Sequence, residues 1–181
     1  MAGNINELGK GYVFENLLNT DYFEKSKKIP EKKKINIFKP NFSIWNKPSI
    51  KLFNEVFYLI NSHTSNNQRE DFTKVIFPFY GKESYFDFFG KKGFYESQLL
   101  ISEDFIEEFF NEFKILFKLH NPTISLFSFK NMSGEQRLLR FEANKICLTF
   151  DYINNKKNIS FMKEIDNVCE KLGVTPSIIK D

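Results

Sequence analysis

Two segments in the second half of the chain have the pattern of amphipathic helices, and strand-like segments flank each of them. Ser102 is a favourable N-cap for the first, and Asn121-Pro122 ends it. We expect Asn158 to cap the second and Gly173 to end it. The apolar stripe of the first is Phe105, Ile106, Phe109, Phe110, Phe113 and Leu116, and that of the second is Phe161, Met162, Ile165, Val168 and Leu172. Because each stripe must be buried against another element, this pattern restricts the fold strongly.

Strand patterns are present at 94–101, 123–130, 145–152 and 175–180, with a turn at 131–136. The resulting order, β-α-β-β-α-β, predicts an α+β domain with a ferredoxin-like antiparallel sheet and both helices on one face.

The segment before this domain core has its own features. The stripe Ile50, Phe53, Val56, Phe57 and Ile60 predicts an extra helix at 47–61, and a further strand is expected at 74–79. We expect residues 1–35 to be a polar lead-in or linker and residues 36–181 to form the domain. A basic cluster at 25–34 indicates a solvated linker, or alternatively a patch for phosphate or anionic lipid.

Size and charge exclude several classes of protein. A chain of 181 residues suits one domain, or at most two small ones, and no apolar run approaches the roughly 18 residues of a transmembrane helix. Residues 1–7 lack the pattern of a signal peptide, so we expect a cytoplasmic protein or one peripheral to the membrane surface. A net charge of +3 is too small to indicate nucleic acid as a partner. We expect the 23 phenylalanines to fill core positions that leucine usually takes.

The common catalytic motifs are missing from the sequence. It contains neither a G-x-G-x-x-G nor a G-K-[ST] phosphate loop, and His63 and His120 form no metal or triad pattern. We therefore predict no metal site. Cys147, in mid-strand, is either a small core residue or a reactive thiol, and Cys169 is expected to pack in the core.

The strand pattern also places a polar set on the sheet face away from the helices. Side chains alternate along a strand, so the second face collects Glu96, Gln98, Ser128, Lys130, Lys145, Cys147 and Thr149. One interpretation is a solvated sheet face, which is common in antiparallel sheets. The other is the floor of a polar pocket roofed by another domain, in which Gln98 and Lys130 bind a hydroxylated or anionic ligand.

Several stretches resemble one family of flavoenzymes. They are Asn46–Glu55, Ile76–Gly81, Tyr85–Gln98, Ile146–Phe150 and Ile179–Asp181. Their order and spacing are similar to those of the decaprenylphosphoryl-β-D-ribose 2′-oxidase family, in the vanillyl-alcohol oxidase / p-cresol methylhydroxylase superfamily of FAD-linked oxidases. The resemblance covers about residues 40–181. It departs from the family pattern at Phe89, Glu96 and Lys145, and the family's Pro-Gly-Trp is missing before 145–152.

The resemblance implies a substrate-binding (cap) domain that covers the flavin ring. FAD would be bound mainly by a flavin-binding domain that is not in these residues and that joins in cis or in trans. Gln98 and Cys147 match positions near both flavin and substrate, Lys130 matches a substrate-pocket lysine, and Glu96 and Lys145 lie beside them as substrate-binding candidates. Lys180 matches a lysine at the return to the flavin domain and is the candidate catalytic residue.

The implied reaction is oxidation of a secondary alcohol of a sugar or a polyprenyl-phosphoryl sugar. The alternative is a stand-alone ferredoxin-like module that binds a small molecule or a protein without catalysis. Nucleic-acid binding on the sheet is disfavoured, because the polar face offers few aromatic side chains.

Overall fold

The computed structural model describes residues 40–62, 84–132, 134 and 144–177. Its elements, in chain order, are α1 (Lys47–Ser62), α2 (Ser84–Asp87), β1 (Phe94–Ile101), α3 (Ile106–His120), β2 (Ile124–Met132), β3 (Lys145–Ile153), α4 (Lys156–Leu172) and β4 (Thr175–Pro176). The predictions for the lead-in at 1–35, the strand at 74–79, the loop with His63, and Lys180 lie outside the described residues.

The four strands form one antiparallel sheet in the order β2-β3-β1-β4, which confirms the α+β class. An uninterrupted register joins β1 and β3, from the pair Phe94 and Ile153 to the pair Ile101 and Ile146. α3 connects β1 to β2, and α4 connects β3 to β4. Each of these connections passes over one intervening strand.

Both long helices of the second half pack on the same sheet face. Phe113 of α3 is central, because its ring lies 5.6 to 5.8 Å from the rings of Phe127, Phe150 and Phe161. Alternate residues of the strands complete this core, including Leu99, Ile101, Leu148 and Tyr152. Cys169 lies in it as predicted. Phenylalanine therefore supplies much of the packing between helices and sheet.

A second, smaller core lies on the opposite face, over one end of the sheet. We call it the Trp45 cluster, and it consists of Trp45, Ile50, Tyr85 and Phe89. It packs against Phe94, Leu126 and Ile153 of the strands. These contacts hold the N-terminal end of α1 and the short helix α2 against the sheet face opposite the two-helix core.

Two helix starts differ from the predictions. The N-cap of α4 is Asn155, whose Oδ1 accepts a hydrogen bond from the backbone N–H of Asn158 at 2.8 Å. Asn158 is instead fully buried, and its side chain bonds to the backbone of Thr123 and Ile153. Phe105 lies in a 3-10 turn before α3 and is 44% exposed, so it does not join the core.

The ends of two strands also differ. β2 extends to Met132, into the predicted turn at 131–136. The structure gives β4 as Thr175–Pro176, and residues 178–180 of the predicted strand lie outside the described residues.

The prediction for β2 was wrong at its beginning. The register with β3 shifts between Ile124 and Leu126, as in a β-bulge. Ile124 consequently packs in the two-helix core, and Ser125 faces the other side of the sheet, where it meets Tyr85. Strict alternation from Ser128 and Lys130 predicts the reverse, with Ile124 on the face away from the helices and Ser125 on the helix side. The prediction fails because an extra residue in one strand reverses the alternation on one side of it.

The helix predicted at 47–61 is present as α1, but its stripe is not a core stripe. Ile50 alone of its five members is buried, and Phe53, Val56, Phe57 and Ile60 are exposed. Among the described residues, no helix is both long and apolar enough to cross a membrane.

Candidate functional site

The sheet face opposite the two-helix core carries polar side chains in rows, because residues paired across antiparallel strands lie on the same side. We call it the polar face and define it by Glu96, Gln98, Ser125, Ser128, Lys130, Lys145, Cys147, Thr149 and Asp151. Ser128, Thr149 and Gln98 form its middle row. Successive rows lie two residues, or roughly 7 Å, apart along the strands.

The rows on either side of the middle row differ in charge. On one side, Cys147 lies between Lys130 and Leu100, and Lys145 follows one row further out. On the other side, Asp151 pairs with Glu96. The polar face therefore has a basic end, a neutral middle and an acidic end.

The structure brings together five of the six predicted site residues on this face: Glu96, Gln98, Lys130, Lys145 and Cys147. Lys130 is exposed, whereas Glu96, Gln98 and Lys145 are half-buried. The sixth, Lys180, lies outside the described residues. The backbone carbonyl of Gln98 accepts a hydrogen bond from the N–H of Ser177 at 2.8 Å, which ties the chain after β4 to the middle row.

Cys147 is fully buried, in contact with Leu100 and Met132. Its Sγ lies 3.9 Å from the Thr149 hydroxyl. Of the two interpretations from the sequence, a small packed residue and a reactive thiol, this burial favours packing.

Three further buried polar residues close the acidic end of the face. The Tyr85 hydroxyl donates to Oδ2 of Asp151 at 2.8 Å and lies 2.9 Å from Oγ of Ser125. Burial raises the pKa of Tyr85 well above its ordinary value, and the charge on Asp151 raises it further. Tyr85 therefore stays protonated and acts as a hydrogen-bond donor to the carboxylate throughout the physiological pH range.

The Trp45 cluster holds Tyr85 in this position. The indole Nε1 of Trp45 donates to the backbone carbonyl of Tyr85 at 3.2 Å, and the two rings lie 5.3 Å apart. The cluster also packs on Phe94, Leu126 and Ile153, so it covers the end of the sheet next to Asp151.

The polar face suits one wall of a flavin site but not the binding of the whole cofactor. The amide of Gln98 and the hydroxyls of Ser128 and Thr149 can hydrogen-bond to the nitrogen and oxygen edge of a ring. The described strand-to-helix turns, 102–105 and 154–155, contain no glycine, and Glu103 and Asp104 in the first would repel a pyrophosphate. Among the described residues, no group of three His, Cys, Asp or Glu side chains could hold a metal ion.

Sequence reasoning missed Tyr85, Ser125 and Asp151. Alternation places Asp151 on the same face as Lys145, Cys147 and Thr149, but the predicted site did not include it. Ser125 was hidden by the bulge, and no sequence pattern joins Tyr85 to a strand 66 positions away. No protein-family model and no curated protein sequence matches this chain.

Proposed function

We propose that this chain is the substrate-binding domain of an FAD-dependent oxidoreductase that oxidises a secondary alcohol of a sugar or polyprenyl-phosphoryl sugar. One observation carries the proposal: Gln98, Lys130 and Cys147, which match site positions of a flavoenzyme family, come from three strands and lie on a single sheet face. That face lies opposite the two-helix core, and its middle row is neutral and polar.

The residues of the polar face have separate roles in this proposal. The Gln98 amide and the Thr149 hydroxyl orient sugar hydroxyls, since an amide and a hydroxyl can each donate and accept hydrogen bonds. Lys130 and Lys145 attract an anionic part of the substrate, such as a phosphodiester. Cys147 and Leu100 form an apolar row that excludes water beside the middle row of the polar face. FAD, when bound by its own domain, supplies the acceptor for the hydride, and this chain supplies orientation.

The fold type is part of the proposal. A ferredoxin-like sheet has two split β-α-β units, each with one strand inserted between its two parallel strands. The observed order β2-β3-β1-β4 and the antiparallel neighbours support that type. We also propose that the protein acts in the cytoplasm or at the membrane surface, because the lipid chain of a polyprenyl substrate would be anchored in the membrane.

The first test is the mass and the visible spectrum of the protein isolated from its source cell. We expect a species larger than 21.5 kDa that carries flavin absorbance, in one polypeptide or in a complex. A flavin-free species of 21.5 kDa without a flavoprotein partner would contradict the proposal. That outcome would favour the stand-alone binding module.

The second test is kinetic and applies to the flavin-loaded enzyme. We expect Lys130→Ala to lower kcat/KM by about tenfold or more, because a lost hydrogen bond to a charged group is worth about 1.5–3 kcal/mol. Gln98→Ala should lower it by about two- to tenfold, because a hydrogen bond between neutral groups is worth about 0.5–1.5 kcal/mol. Lys118→Ala is the matched control, since Lys118 is an exposed lysine of α3 on the other side of the sheet. Wild-type kinetics for both site variants would rule out the assignment.

A further inference from the structure

Two lysines at the basic end of the polar face lie close enough to share one ligand. Lys130 pairs with Cys147 across the strands, and Lys145 precedes Cys147 by two residues on β3. The two lysines are therefore diagonal neighbours, with backbones roughly 7–8 Å apart, which is within reach of long side chains. In the described part of the chain, neither lysine side chain has a hydrogen bond or an ion pair. Because like charges repel, an anion bound between them would stabilise the pair.

A phosphoryl group fits this pair better than a carboxylate does. Its oxygens point in several directions, so two ammonium groups can each donate a charge-assisted hydrogen bond to it. The middle row of the polar face, with the side chains of Ser128, Thr149 and Gln98, lies one row from Lys130, or roughly 7 Å along the strands. A sugar joined to the bound phosphoryl group would therefore have its hydroxyls over this row.

The acidic end of the polar face has the opposite preference. Glu96 pairs with Asp151 two rows from Lys130, or roughly 13 Å along the strands. Burial raises the pKa of Tyr85 at this end, and the charges of Asp151 and Glu96 raise it further, so the local potential is negative. Asp151 is only 2% exposed, whereas Glu96 is half-buried and is the carboxylate that a ligand would meet. An anionic group placed beside Glu96 would be repelled.

We infer that the polar face selects sugars with a single phosphoryl group, which Lys130 and Lys145 hold at one end, and that Glu96 rejects a second anionic group at the other. This inference rests on the proposed function and narrows its substrate class. Glu96 is then a specificity-determining residue, and sugar acids and sugar bisphosphates are excluded. A soluble phosphomonoester and a lipid-linked phosphodiester share the chemistry that the two lysines recognise.

Two ligands that differ by one carboxylate test the role of Glu96 on the flavin-containing protein of natural length. Glucose 1-phosphate and glucuronic acid 1-phosphate have the same ring and the same phosphoryl group. Calorimetry should show about tenfold tighter binding of glucose 1-phosphate, and Glu96→Gln should reduce this ratio to about threefold or less. Glu107→Gln is the matched control, since Glu107 is exposed on α3, and it should keep the wild-type ratio. Equal binding of the two ligands to the wild type, or a ratio that Glu96→Gln leaves unchanged, would overturn the inference.

The same titrations test the two lysines. Lys145→Gln should weaken the binding of both ligands by about tenfold or more and leave their ratio unchanged, because both have the phosphoryl group. Lys118→Gln, on α3, is the control and should bind both as the wild type does. Wild-type affinity of Lys145→Gln would overturn the inference.

A further ligand identifies the source of the phosphoryl group. The octyl phosphodiester of glucose should also bind, and tighter binding than that of glucose 1-phosphate would assign the site to a lipid-linked sugar, whereas weaker binding would assign it to a soluble one. Failure of both to bind the flavin-containing protein would overturn the inference. A preparation without flavin would instead overturn the proposed function, and the inference with it.

Discussion

Tyr85 links the segment before the sheet to the candidate site. Its ring packs against those of Trp45 and Phe89, and its hydroxyl reaches Asp151 and Ser125. A buried carboxylate is costly unless it is hydrogen-bonded, so this hydroxyl allows an acid to lie inside the end of the face. One side chain thus combines core packing with the shape of the site.

We expect Tyr85→Phe to lower the free energy of unfolding by about 1–3 kcal/mol, because it removes a hydrogen bond from a buried carboxylate. Denaturant unfolding measures the change. Tyr95→Phe is the control, since Tyr95 is half-buried and its hydroxyl has no hydrogen bond within the described part of the chain. Equal stability of wild type and Tyr85→Phe would show that the bond contributes nothing.

The same residue gives a pH dependence with a definite sign. The pKa of Tyr85 is raised in the folded state above its ordinary value of 10.0, first by burial and then by Asp151. Above about pH 10 the unfolded chain loses this proton and the folded chain keeps it, so stability falls by about 1.4 kcal/mol per pH unit. Well below pH 10, the Tyr85 hydroxyl makes its full contribution to the free energy of unfolding. Unfolding curves between about pH 8 and pH 11 should show the difference between wild type and Tyr85→Phe shrinking as the pH rises. A constant difference would contradict the assignment.

At the scale of elements, the turn before β1 depends on two glycines with left-handed backbone. Gly90 has φ of +73° and Gly93 has φ of +69°. At Gly90 an added Cβ would overlap the backbone oxygen of Phe42, whereas at Gly93 it would meet no atom within 4 Å in the described part of the chain. The chain at 40–42 therefore passes directly over Gly90, where the N–H of Lys91 donates to the carbonyl of Pro40 at 3.0 Å.

We expect Gly93→Ala to cost about 1–2 kcal/mol, the strain of a left-handed residue with a Cβ. Gly90→Ala should cost about 1–3 kcal/mol more, because backbone must also move to relieve the clash. Both positions have left-handed backbone, and only Gly90 lies against the chain at 40–42. The difference between the two unfolding midpoints therefore measures the clash with that chain. Similar midpoints would mean that the chain at 40–42 does not pack on Gly90 in solution.

In the molecule as a whole, the described residues form a core on each face of the sheet. The two-helix core covers one face along its length, and the Trp45 cluster lies over one end of the other face. The ion pairs of Lys171 with Glu108 and Glu112 join α4 to α3 at the surface, where such pairs contribute little to stability. Stability should therefore come mainly from the phenylalanine-rich core.

Phe113→Ala should lower the free energy of unfolding by about 3–5 kcal/mol, since it leaves a cavity among three other phenylalanine rings. Phe105→Ala, at a 44% exposed position just before α3, should change it by about 0.5 kcal/mol or less. Chemical denaturation of both variants compares them directly. Losses of similar size would contradict the placement of the core.

Local sequence patterns were sufficient to predict the two helices of the second half, the strands at the middle of the sheet, and most of the polar face. These follow from short-range periodicity: the stripe of α4 and the alternation from Lys145 to Asp151 each need only neighbouring residues to be seen. For that reason, the side of the sheet on which Gln98 and Cys147 lie could be predicted from the sequence.

The remaining features could not be predicted from local patterns, because each of them depends on contacts between residues distant in sequence. The bulge that turns Ser125 toward Tyr85 arises from pairing with β3, and the burial of Asn158 arises from its bonds to Thr123 and Ile153. The stripe of α1 has the same helical period as those of α3 and α4, yet most of it lies exposed, because the sheet offers it only the small surface of the Trp45 cluster. Periodicity reports that an apolar side exists, and only packing determines what covers it.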